Sequence, residues 1–135
     1  PPKDFDAERA LAEMKEEFAR LETLESFARV VAKVRPLSLT PSRLVCELTV
    51  GDEHVNSKGT LHGGFSATLT DTVTSRALCP LLGKRGRASV ELAVSYFLPV
   101  RRGETVRIVA NVLKVGATLA FAEMEILRED GMVSM

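Results

Sequence analysis

Residues 56–71 read Asn56-Ser57-Lys58-Gly59-Thr60-Leu61-His62-Gly63-Gly64-Phe65-Ser66-Ala67-Thr68-Leu69-Thr70-Asp71. The pair Gly63-Gly64 decides how this stretch folds. Two adjacent glycines are poor helix formers. Yet Phe65, Leu69, Val73 and Ala77 follow at four-residue steps, which predicts a helix over 63–79, closed by Pro80 and Gly83. A helix that starts on glycines offers unpaired N–H groups and the positive end of its dipole, with no Cβ to hold a ligand away. Three uses fit: polarising a carbonyl oxygen, as in an oxyanion hole; holding a phosphate; or a tight loop-to-helix turn with no ligand.

Asp71 sharpens the choice. It lies about 20° around the helix from Gly64, on a side shared with Thr68 and Ser75 and away from the apolar stripe. Arg76 is the only other charged residue of this helix. A carboxylate on a helix packed beneath a sheet is unfavourable unless partnered or used; the alternative is a solvated or capping aspartate. Gly64 and Asp71 are about 10 Å apart along the axis, too far to serve one reacting atom. Two antiparallel copies would bring the glycine turn of one chain to Asp71 of the other, which predicts a dimer with two shared sites. His62 can act as a general base or fix the loop. The positive helix end disfavours an imidazolium there and so favours the second role. His54 is expected in a surface loop.

Outward from this core, Leu11, Met14, Phe18, Leu21, Leu24, Phe27 and Val31 recur at three- and four-residue spacing. They predict a helix over 6–34 with Asp6 as N-cap, ended by Arg35-Pro36. Both charge signs mix on its polar face, the mark of a packing helix rather than a membrane-binding one. Residues 43–50 alternate as a half-buried strand, with Leu44, Cys46, Leu48 and Val50 on one face. Three more strands are predicted: 89–96, 104–114 and 118–128. Val115-Gly116-Ala117 turns between the last two, and Asp130-Gly131 is a hairpin signal. The order helix, strand, helix, then antiparallel strands reads as α+β, one domain over 1–135. Its sheet edges favour pairing with another subunit.

Lysine plus arginine equals aspartate plus glutamate at 18 each in 135 residues. No overall field therefore attracts nucleic acid or an anionic membrane. Lys84-Arg85-x-Arg87 and Arg101-Arg102 are local basic clusters, suited to phosphates or to solubility. Cys46 and Cys79 are too few for a disulfide scaffold and read as small buried hydrophobes in a reducing, intracellular compartment. No apolar run is long enough to span a bilayer. Structural-zinc spacings, a G-x-S-x-G elbow and Rossmann or P-loop glycine patterns are all missing. No metal or separate cofactor is expected.

His54-x-Asn56-x-x-Gly59-Thr60-Leu61-His62-Gly63-Gly64, then Ala67-Thr68-Leu69-x-Asp71, resembles the signature of hotdog-fold acyl-CoA thioesterases of the PaaI type. The resemblance is closest to the small mitochondria-associated animal branch. It extends through Ser89-Val90-Glu91, Ser95-Tyr96-x-x-Pro99 and Leu113-Lys114-x-Gly116-x-Thr118-Leu119-Ala120-Phe121. It implies an antiparallel sheet wrapped around a long central helix, assembled as a homodimer and then a homotetramer. It also implies hydrolysis of medium- to long-chain fatty acyl-CoA to free acid and CoA, in cytoplasm or mitochondria. By the same resemblance Asp71 is the catalytic carboxylate, acting as general base or nucleophile from the neighbouring subunit, and Gly63 supplies the N–H that polarises the thioester carbonyl. Asn56 and His62 orient that carbonyl and the loop, and Ser89 helps place water. CoA is held by Tyr96, Phe97, Leu98, Pro99, Val100 and Arg101, and by Lys114, Val115, Gly116, Ala117, Thr118 and Leu119. Glu91 stands where relatives can carry aspartate. Phe65, Phe97 and Phe121 are candidate acyl-tunnel or core residues. A hydroxyacyl-thioester dehydratase and a non-catalytic acyl-CoA binder are the rival functions on this fold.

Overall fold

Asp6 opens the first helix as expected: its Oδ1 accepts the Arg9 N–H at 3.1 Å. The computed structural model describes residues 3–135. Helix α1, Ala7–Arg20, buries Met14 and Phe18 and packs on the first strand. It ends well short of the predicted residue 34. Thr23 returns its hydroxyl to the Arg20 carbonyl at 2.9 Å, and Leu24 adopts an extended backbone. Short polar residues that bond the main chain in this way compete with helix propagation. Single 3₁₀ turns at Leu21–Thr23 and Phe27–Val31 carry the chain onward. Two residues of the predicted apolar stripe therefore leave the core: Leu24 is exposed, and Phe27 is 74% exposed.

Residues read as the helix end belong instead to a strand, β1, Arg35–Thr40. It pairs antiparallel with β2, Arg43–Thr49. Pro36 cannot donate a ladder hydrogen bond, and β1 tolerates it as an edge strand with an irregular register beside it. Then come α2, Gly63–Ala77, and α3, Cys79–Leu82. Strands β3, Thr105–Val115, and β4, Ala120–Leu127, complete one antiparallel sheet in the order β1-β2-β3-β4. The alternation predicted for 43–50 holds: Leu44, Cys46, Leu48 and Val50 are all buried. They meet Phe65, Leu69, Val73 and Ala77 of α2 in the core. Helix α2 thus lies against β2, β3 and β4, the wrapped central helix of a hotdog fold.

The predicted strand at 89–96 forms no ladder among the described residues. Its residues alternate correctly, but a strand needs a neighbour for its backbone groups, and none adjoins it here. A groove of about 630 Å³ separates it from β4. Only its end is tied across. The Asp130-Gly131 turn sends the chain back along β4, with the Arg128 N–H donating to Met132 O at 2.9 Å. The Ser134 carbonyl then accepts the N–H groups of Phe97 and Leu98, while the Ser134 N–H donates to Ile126 O.

Candidate active site

A loop built on its own side chains delivers the start of α2. Asn56 Oδ1 accepts the N–H groups of Lys58 at 2.9 Å and Thr60 at 3.2 Å. Asn56 Nδ2 donates to the Thr60 hydroxyl at 2.9 Å. This is an Asx-type turn, and it requires Gly59, whose φ is +77°. The loop is then pinned to residues 100–102 through main chain alone. Leu61 N–H donates to Val100 O at 2.7 Å and Arg102 N–H to Gly59 O at 3.1 Å.

His62 is the N-cap of α2. Its Nδ1 accepts the N–H of Gly64 at 2.9 Å and that of Phe65 at 3.4 Å. An imidazole accepts at Nδ1 only as its Nε2–H tautomer, so the ring serves the loop. Ser66 N–H is taken by the His62 carbonyl. Of the first four donors of α2, the Gly63 N–H alone has no acceptor among the described residues. A side chain at 63 would not block it sterically, since a Cβ there meets the Tyr96 ring at an ordinary 3.4–3.6 Å. Tyr96 also donates its hydroxyl to Gly63 O at 2.6 Å.

Two turns further along, Asp71 is exposed on α2, and the Ser89 hydroxyl donates to its Oδ1. The carboxylate and the hydroxyl thus form one unit within a chain, while Gly63 lies about 12 Å up the helix. Beside Ser89 a cavity of about 420 Å³ is lined by Ser75, Arg87 and the turn Val115, Gly116, Ala117, Thr118 and Leu119. Arg87 is anchored there, its guanidinium donating to Ser75 O at 2.9 Å and Gly83 O at 2.8 Å.

The residues expected to hold CoA fall into two groups. Val115–Leu119 gather near Ser89. Tyr96–Arg101 gather near Gly63, where Val100 is buried in the core and Arg101 bridges to Thr60 through backbone. Phe97 is 65% exposed, and Leu98 and Pro99 complete that end. Lys114 lies apart on β3, opposite Phe121. Of the two basic clusters, Lys84 is paired with Glu17 at 2.8 Å and Arg102 with Asp52 at 3.0 Å. Arg85 and Arg101 have no ion pair among the described residues. No group of acidic, histidine and cysteine side chains among the described residues has the geometry to hold a metal ion.

Two features were not anticipated. Tyr96 reaches back to Gly63, and no spacing rule links residues 33 positions apart. His54, expected in a surface loop, is 1% exposed. Its ring stacks on Phe65, with centroids 4.6 Å apart, which makes Phe65 a core residue rather than a free tunnel wall. Burial holds the His54 pKa below its usual range, against the nearby Glu53 charge.

Residues 58–135 match the thioesterase superfamily. The chain belongs to that family and has its hotdog fold. An esterase-named protein of Caenorhabditis elegans is 50% identical over 129 residues, spanning 95% of this chain and 76% of its own. Acyl-coenzyme A thioesterase 13 of Mus musculus is 44% identical over 101 residues, 74% of this chain and 71% of its own. The crystal structure of zebrafish thioesterase superfamily member 2 superposes with a TM-score of 0.87 at 36% identity, covering 92% of this chain and 91% of that one. The Escherichia coli PaaI protein shares the fold, with a TM-score of 0.72 at 18% identity over 94% of this chain and 90% of its own.

Proposed function

We propose that this protein hydrolyses acyl-CoA thioesters to free acid and CoA. One observation carries the reading: His62 consumes the Gly64 and Phe65 N–H groups and leaves the Gly63 N–H as the free donor at the positive end of α2. A thioester carbonyl docked there gains stabilisation as its oxygen becomes anionic. Asp71, held by Ser89, takes a proton from water as the water oxygen bonds to the carbonyl carbon. Collapse of the tetrahedral species breaks the C–S bond, and the thiolate of CoA takes up the proton. No cofactor enters; CoA is part of substrate and product.

The separation of Gly63 from Asp71 supports a site completed by a second copy, Gly63 of one protomer facing Asp71 of the other. The backbone of 89–96 has no ladder partner among the described residues, and Val90 is 80% exposed. A continuous sheet between two copies would cover both, and pairs of such dimers would make a tetramer. Arg101 is available for CoA phosphates. The exposed rings of Phe97 and Phe121 offer apolar surface for a medium- to long-chain acyl group. No described helix is long and apolar enough to cross a membrane. Two free thiols fit a reducing cytoplasmic or mitochondrial setting.

Thiol release from a series of saturated acyl-CoA chain lengths tests this, with crotonyl-CoA as a probe for hydration. The decisive variant is Gly63→Pro. Proline is suited to the first helical position, and the extended backbone of His62 can precede it. It removes the N–H and leaves the helix intact. Turnover should fall by about 10²–10³. Normal thiol release from Gly63→Pro, or hydration of crotonyl-CoA without thiol release, would overturn the reading.

A further inference from the structure

The buried His54 grips the start of α2 at two points. Its carbonyl accepts the His62 N–H at 2.9 Å, and its ring stacks on Phe65 at 4.6 Å with 25° between planes. Gly63 lies between those two residues. The ring is itself fixed: Nδ1 accepts the Gly51 N–H at 2.9 Å, which ties it to the turn Asp52–His54. Nε2 faces Glu53 Oε1 across 3.5 Å, a carboxylate already engaged by Lys33 at 2.6 Å. The imidazole therefore has one firm hydrogen bond and one face against an aromatic ring, and it is buried.

We propose that His54 is a positioning residue of the thioesterase site, setting the height and direction of the Gly63 N–H through His62 and Phe65. This rests on the reading of Gly63 as the donor that polarises the carbonyl. Three consecutive links connect the residues: Gly51 N–H to the His54 ring, the ring to Phe65, and the His54 main chain to His62. His62 in turn caps Gly64 and Phe65. A carbonyl-polarising donor acts only if it is aimed where charge develops, and a displacement of about 1 Å reduces rate by about 10². The loop that carries Gly63 contains Gly59 at positive φ and is held by the bonds of Asn56 and by main chain to residues 100–102. His54 adds a buried anchor at the His62 end of that loop, next to Gly63.

Two variants separate the stack on Phe65 from the hydrogen bond to Gly51. His54→Phe keeps the stack and loses the acceptor for Gly51. His54→Asn keeps an acceptor and loses the stack. Each is assayed as the intact oligomer for kcat and KM with one acyl-CoA, for thermal stability, and for amide hydrogen exchange at Gly64 and Phe65 without substrate. Both variants should lower kcat about 10-fold or more with KM within about threefold, and should speed exchange at Gly64 and Phe65 while leaving Leu69 and Val73 protected. A folded His54→Phe protein with wild-type kcat and unchanged exchange at Gly64 would overturn the proposal. So would a loss of activity fully accounted for by a smaller folded fraction. Exchange is read without turnover, so failure of the Gly63 reading shows separately, as normal activity in Gly63→Pro.

Discussion

Ser89 donates its hydroxyl to Asp71 Oδ1 within a single chain, bridging 18 residues of sequence. The carboxylate is therefore not a lone group on a helix but half of a preassembled pair. A hydroxyl that donates to a carboxylate holds its orientation and leaves the second oxygen to meet water. Asp71→Asn should lower kcat at least about 10², and Ser89→Ala about 10-fold. Because the two act as a unit, the double variant should be no worse than Asp71→Asn alone. Losses that simply multiply would show that Ser89 acts elsewhere.

If each site draws Gly63 from one protomer and Asp71 from the other, two inactive proteins can repair each other. Asp71→Asn and Gly63→Pro, mixed and reassembled after mild dissociation, should yield hybrid dimers with one intact site. Activity should return to about one quarter of wild type for random pairing, since half the dimers are hybrid with one of two sites whole. Thiol release before and after subunit exchange measures it. A mixture as inactive as its components places both groups in one chain's site.

Glu17 of α1 joins Arg76 of α2 and Lys84 beyond α3. Burial alone would raise its pKa, but the Lys84 hydrogen bond and the charges of Arg76, Lys84 and Arg20 outweigh burial and hold it below the usual carboxylate range. A carboxyl depressed in the folded state stabilises it above the unfolded pKa, and that contribution fades as pH falls through the folded value. Glu17→Gln should cost about 1–2 kcal/mol at neutral pH, less than for a fully buried pair. The stabilities of the two proteins should differ by a constant amount above about pH 5 and converge as pH falls through the depressed folded value of Glu17. A difference that persists in acid would assign the effect to packing.

The two cysteines should react differently. Cys46 is fully buried on β2, and burial pushes its thiol up to about 12. Cys79 is half-buried at the start of α3, with the Arg87 guanidinium 3.3 Å from its sulfur. Only a thiolate alkylates. Iodoacetamide near pH 8 should modify Cys79 alone in the native protein, and Cys46 only after denaturation. Peptide mass spectrometry distinguishes them; native modification at Cys46 would contradict its burial.

Much of this architecture was readable in the chain because local and global signals agree there. The Phe65–Leu69–Val73–Ala77 stripe is the buried face of α2, and the alternation from Leu44 to Val50 is the buried face of β2. Where signals conflict, reading by period fails. Leu21, Leu24 and Phe27 keep helical spacing, yet the Thr23 hydroxyl ends the regular helix at Arg20. Pro36 announces a helix stop and equally suits an edge strand, which is what it enters. Residues 89–96 have a strand's pattern, but pairing is a property of neighbours, not of the segment. Within the site, Gly63, Asp71 and Ser89 stand in recognisable motifs. His54 on Phe65 and Tyr96 on Gly63 are contacts between distant positions, and single-chain spacing carries no signal for them.

The loop from Asn56 to His62 is fastened to residues 100–102 by main chain, Leu61 to Val100 and Gly59 to Arg102. Backbone fastening is indifferent to side-chain identity. The Arg101 side chain takes no part in that fastening, so this position is free to change, by engineering or natural variation, without unfastening the loop.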